Sequence, residues 1–179
     1  LLLAIFLRIN CVADQVLLRD PAHLGIAGRP EWEIFRGQTP VGEELRLKFS
    51  GQANGMEQAL VIRQSDVKQD WMVELNGDRL GQLFLMEADV VHVLPVPPGA
   101  IREGRNELRI STRTPEDIVI SGIELVDASR EQFLSEARLQ VTIRDGRDQP
   151  LPARITVLDE NEFLAPLLAD QGARLAVRP

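Results

Sequence analysis

The chain has 179 residues, 44% of them hydrophobic, and a formal net charge of −7. That length suits one domain, or one domain and a piece of a second, and the hydrophobic content excludes a disordered chain. An acidic surface repels phosphate backbones and the 20 basic residues form no patch, so nucleic-acid binding and a polybasic membrane contact are set aside.

The chain opens on Leu1 rather than Met, and is read as cut at its start. Leu1-Leu2-Leu3-Ala4-Ile5-Phe6-Leu7 is an apolar run far shorter than the roughly 20 residues of a membrane-spanning helix. It fits the hydrophobic region of a secretory signal peptide, and Cys11-Val12-Ala13 places small residues at a cleavage site. Cleavage after Ala13 removes the only cysteine, which leaves no internal disulfide and no membrane span in the mature chain. The expected location is secreted or periplasmic. The competing readings are a short buried edge strand and, poorly supported by Arg8-Ile9-Asn10, lipid attachment at Cys11.

Beyond residue 13, period-2 alternation dominates and sustained helical periodicity is absent. Leu45-Arg46-Leu47-Lys48-Phe49, Trp71-Met72-Val73-Glu74-Leu75 and Leu108-Arg109-Ile110 alternate cleanly. Ala59-Leu60-Val61-Ile62, Val90-Val91-His92-Val93-Leu94, Ile118-Val119-Ile120 and Ile123-Glu124-Leu125-Val126 are short apolar runs. Short strands between turn signals predict a sandwich or barrel. Asn76-Gly77 predicts a tight hairpin, because both central positions tolerate positive φ. Pro95, Pro97 and Pro98 lack amide donors, so that stretch belongs at a sheet edge or outside the sheet.

Residues 130–136 read as a polar linker with room for one helical turn. A second unit begins near Ala137: a strand Leu139–Ile143, a turn over Asp145-Gly146-Arg147-Asp148-Gln149-Pro150, and a returning strand Ala153–Asp159. Residues 137–179 are few for a self-sufficient core, so this unit is read as truncated. The expected fold is all-β: an antiparallel β-sandwich over 14–129, then the linker, then an incomplete small β-domain.

Three segments resemble known families. Ile62 to Gly77 with Leu80-Gly81, followed by Val93-Leu94-Pro95-Val96-Pro97 and Gly104-Arg105-Asn106-Glu107-Leu108-Arg109-Ile110, resembles galactose-binding-like jelly rolls, which accompany many secreted glycosidases and hydrolases. Ala137-Arg138-Leu139 through Val157 resembles the opening hairpin of carboxypeptidase-regulatory-like, prealbumin-type domains. Their order, with Leu175-Ala176-Val177-Arg178-Pro179, resembles the N-terminal part of exported CehA/McbA-type metallohydrolases, across roughly residues 45 to 179. The resemblance implies a non-catalytic accessory module whose partner is a downstream PHP-type hydrolase domain of the same chain. None of that family's metal-binding histidine motifs occurs here. The alternatives are a carbohydrate-binding module proper, or the sugar-binding jelly roll of a glycosidase.

The residues themselves favour no chemistry. The two histidines, His23 in the loop Asp20-Pro21-Ala22-His23 and His92 in a strand run, form no metal motif, and no nucleophile elbow or phosphate loop is present. No catalytic, metal or cofactor residue is assigned. The acidic pairs Asp66/Asp70, Glu87/Asp89 and Glu116/Asp117 read as solvated loop charge, with a structural calcium or acid–base work as alternatives. Six Phe, two Trp and no Tyr argue against a cleft lined with stacking rings, yet leave sugar binding through polar loops open. Trp71 alternates in phase with Val73 and Leu75 and belongs to the core. Trp32, among polar neighbours, is ambiguous between packing and a surface platform. Trp32, Asp66 and Lys68 are the candidate ligand contacts, with Lys68 expected to pair with Asp66 or Asp70.

Overall fold

A computed structural model describes residues 14–135 and 141–166. The signal-peptide reading of residues 1–13, Leu139 and Gln140 of the second unit, and the closing Leu175–Pro179 lie outside the described residues. Among the described residues, nine strands form two antiparallel sheets: β1 Gln15–Leu18, β2 Ala22–Leu24, β3 Glu44–Gly51, β4 Gln58–Ser65, β5 Met72–Leu75, β6 Asp78–Gln82, β7 Val90–Val96, β8 Gly104–Ser111 and β9 Ile118–Val126. The first sheet has the order β1-β9-β4-β7, with β2 also on β9; the second has the order β3-β8-β5-β6. The protein is a β-sandwich, as the alternation predicts.

Chain order and spatial order differ almost everywhere. Only β5 and β6 are both consecutive and directly paired, through the turn Asn76-Gly77 with φ of 55° and 89°. Asn and Gly supply the two positive φ angles that a two-residue hairpin needs. β1 and β2 line up along β9 as one edge strand, interrupted at Asp20-Pro21, where proline has no amide to donate. Most remaining connections pass from one sheet to the other, as in a jelly roll.

The inward faces meet in one core. Leu60 and Ile62 from β4, Leu108 and Ile110 from β8, and Ile118, Ile120 and Ile123 from β9 are buried around Trp71, which is wholly inaccessible. β4 is buried on both faces. Its outward Ala59 and Val61, with Val91 and Val93 of β7, lie under Phe133 and Leu134 of a short helix α1, Arg130–Leu134, and under Phe163. Ser129 and Gln132 close a reciprocal cap at the start of α1. The expected linker thus covers the sheet as well as connecting.

In the second unit the expected turn forms and the returning strand does not. The Asp145 turn forms, with Asp145 Oδ1 accepting from Arg147 N and Gln149 N at 2.8 and 2.9 Å. The returning segment 153–157 carries no strand. Val141, Leu151, Ile155 and Leu158 stay about half exposed, so the described part of this unit encloses no core. Leu164 instead lies parallel to the β7 edge, donating to Asp89 O at 2.8 Å and accepting from Val91 N at 3.0 Å. β7, which contains Pro95, is a sheet-edge strand as predicted, and Leu164 occupies part of its free edge.

Two asparagines, Asn76 and Asn106, fasten the loops at one end of the sandwich. Asn106, nearly inaccessible, donates to Arg102 O and Gly104 O at 2.8 and 3.0 Å and accepts from Arg102 N and Asn76 Nδ2 at 2.8 and 2.7 Å. Its amide therefore stands in for backbone partners that the turn lacks. Asn106→Ala removes all four bonds at once. We expect a loss on the order of 3 kcal/mol, seen as a lower urea midpoint at unchanged slope.

Candidate functional site

Three loops converge at one end of the sandwich: residues 25–43 between β2 and β3, 66–71 between β4 and β5, and 112–117 before β9. The longest of them, 25–43, has few ladder partners and depends on side chains from the other two. Val41 N donates to His23 O at 2.8 Å and Gly25 N to Gly42 O at 3.0 Å, which close its base.

Asp117 fills the space beneath this loop. It is 2% exposed. His23 Nε2 lies 2.7 Å from Asp117 Oδ1, and Glu31 N donates to Asp117 Oδ2 at 2.5 Å. A carboxylate only accepts, so the His23 ring donates through Nε2. His23 stacks on Phe35, with centroids 4.4 Å apart. Phe35 sits in a 3-10 turn, Glu33–Phe35, inside the loop. Gly25 is part of the fit: a Cβ there would lie 2.3 Å from Asp117 Oδ1. Two sequence readings are corrected here. Asp117 is a buried anchor rather than solvated loop charge, and His23 belongs to β2 rather than to a loop. The sequence shows only Glu116-Asp117 before an apolar run; nothing in it points to partners in residues 23 and 31.

Glu31 passes this order outward. Its Oε1 lies 2.7 Å from Lys68 Nζ, and Lys68 Nζ sits 4.3 Å from the centroid of the Trp32 ring. The expected pairing of Lys68 with Asp66 or Asp70 is therefore replaced by pairing with Glu31, because the 25–43 loop folds over the 66–71 turn. Lys68 is only 17% exposed, whereas Trp32 is 44% exposed. A cation over an indole face is worth about 0.5–2 kcal/mol, more as water is excluded. Trp32 is thus an exposed ring with a fixed neighbour.

Asp66 lies within electrostatic reach of Lys68 and Glu31, so the three candidate residues share one region. It adopts a left-handed φ of 61°, and its amide donates to Glu87 O at 3.1 Å. Burial pushes its carboxyl above the ordinary aspartate value; Lys68 opposes this, and Asp89 and Glu87 add to it. Gln69 Nε2 donates to Glu116 Oε1 at 3.1 Å, tying the 66–71 turn to the loop before β9. No group of three His, Cys, Asp or Glu side chains is placed to hold a metal ion among the described residues.

Under the 25–43 loop lies a pocket of about 220 Å³, lined by Pro30, Phe35, Gln38, Thr39 and Pro40 together with His23 and Asp117; Trp32, Lys68 and Asp66 do not line it. Elsewhere the surface differs. The outer face of the second sheet carries ion pairs: Arg46 with Glu44 and Glu107, and Arg109 with Glu44 and Glu74. Hydrogen bonds from Arg46, then Arg109, hold the Glu44 carboxyl below its ordinary value. His92, on β7, is held below the ordinary imidazole value by burial, and its Nε2 meets Gln82 O at 3.1 Å.

No family model matches the chain, and no curated protein matches it. Among solved structures it is similar to a family 35 carbohydrate binding module from an environmental isolate, at 14% identity over 60% of this chain and 86% of that one, TM-score 0.42. It is also similar to a Podospora anserina GH26-CBM35 beta-(1,4)-mannanase, at 15% identity over 66% of this chain and 28% of that one, TM-score 0.42. A third is the carbohydrate-binding module CBM36 in complex with calcium and xylotriose, at 8% identity over 63% of this chain and 98% of that one, TM-score 0.36.

The Asp66 shift has a sign. A carboxyl raised in the fold favours the neutral form there, so its ionisation weakens the fold as pH rises through the ordinary value, and fully above the raised one. Asp66→Asn keeps a residue that tolerates positive φ and removes that cost. Its urea midpoint should exceed that of the native chain at about pH 7 and match it at about pH 3, below the ordinary aspartate value.

Proposed function

We propose that the chain is a non-catalytic, carbohydrate-binding β-sandwich in which Trp32, Lys68 and Asp66 contact the sugar. The observation that carries this reading is the Trp32 ring, half exposed and held against Lys68. Pyranose rings present an apolar C–H face and a rim of hydroxyls. A fixed indole suits the face, while Asp66 and Glu31 offer acceptors and Lys68 a donor for the rim. One ring among polar loops also agrees with the low aromatic content.

The wider setting follows the sequence resemblance. We place 14–129 as the binding module, 130–136 as a connection and 137–179 as the start of a second small domain. The module would serve a downstream metal-dependent hydrolase of the same chain, outside the cytoplasm. The glycan-binding reading stands without that setting.

The test is electrophoresis through gels containing each of a panel of soluble polysaccharides. The native chain should be retarded by at least one of them. Trp32→Ala should weaken that retention by roughly tenfold, about 1.4 kcal/mol, with an unchanged far-ultraviolet spectrum. Retention unaltered in Trp32→Ala, or no retention by any polysaccharide, contradicts the reading.

A further inference from the structure

Asp117 is a carboxylate buried beneath an exposed loop. Burying an ionised group is expensive unless donors surround it. Asp117 has two donors, and both lead to the 25–43 loop. One is His23, whose ring carries Phe35; the other is the backbone of Glu31, the residue before Trp32. The side chain of Glu31 then holds Lys68, and Lys68 lies on Trp32. A contact path thus runs from the sheet end to the exposed ring, with Asp117 as its only buried carboxylate. The absent Cβ at Gly25 leaves the room that Asp117 occupies.

We infer that Asp117 is a positioning residue for the Trp32 platform: held by His23 and seated against Gly25, it fixes the Glu31 backbone and thereby the Glu31–Lys68 pair that holds the indole. Asp117 itself does not touch the sugar. The inference takes its functional meaning from the carbohydrate-binding reading, but its structural content can be tested without any ligand.

Two tryptophans make that possible. Trp71 is inaccessible in the core and Trp32 is exposed, so acrylamide quenching of fluorescence reads Trp32. Three variants of the full chain serve: Asp117→Ala, Asp117→Asn and Gly25→Ala. Asp117→Ala leaves two donors unpaired, and its Trp32 quenching should rise toward that of free tryptophan while the blue emission of Trp71 is kept. Asp117→Asn retains the shape and can still bond both partners if the His23 tautomer changes, so it should recover most of the native protection. Gly25→Ala displaces the carboxylate with an intact charge and should behave like Asp117→Ala. It also serves if Asp117→Ala does not fold. Where a polysaccharide binds the native chain, affinity should fall roughly tenfold in the two variants with raised quenching. Native quenching in a folded Asp117→Ala or Gly25→Ala chain overturns the inference. If no polysaccharide binds the native chain, the carbohydrate reading fails while the quenching result still decides the role of Asp117.

Discussion

The inward faces of the two sheets meet around Trp71, Leu60, Ile62, Leu108, Ile110 and Ile120, and the loop geometry follows from that contact. Because most connections cross between sheets, nearly every loop is anchored at both ends in the same core. Removing apolar area from water at about 25 cal/mol per Å² makes this the largest stabilising contribution, and it is non-directional. Directional groups decide the details. Asn106 and Asn76 fasten one end, Gln64 holds Phe84 through both its amide atoms, and Asp117 fastens the other end.

The two ends use different chemistry. Around Asn106 the partners are neutral amides and carbonyls, fully paired and enclosed, which yields a rigid turn. At the candidate site the partners are charged or aromatic and lie progressively nearer the surface: Asp117, then Glu31 and Lys68, then Trp32. That gradient suits recognition. The buried member fixes geometry, while the outer members keep polar atoms and a ring face for a ligand.

Much of the fold was legible from alternation alone. Each apolar run between residues 45 and 126 lies in a strand, Trp71 is in the core, and Asn76-Gly77 forms the hairpin. These are local signals, carried by neighbours in the sequence. The candidate residues Trp32, Lys68 and Asp66 were also visible singly, as an aromatic among polar neighbours and charges at a strand end. Their meeting was not, because it depends on the 25–43 loop folding across the sheet end. The buried role of Asp117 is illegible for the same reason: its partners stand 94 and 86 positions away. The returning strand of the second unit differs for another reason. Its turn chemistry at Asp145 is local and appears, whereas the returning strand needs a partner sheet that residues 141–166 do not build.

Carbohydrate contact at Trp32 can be read directly in solution. A two-dimensional proton–nitrogen spectrum shows one indole signal for each of the two tryptophans. Adding soluble oligosaccharides in turn measures contact at both rings at once. The account predicts that a bound oligosaccharide shifts the Trp32 indole and the backbone signals of Glu31, Asp66 and Lys68, and leaves the Trp71 indole in place. Shifts gathered on the outer face of the β3-β8-β5 sheet, with Trp32 unmoved, would contradict it.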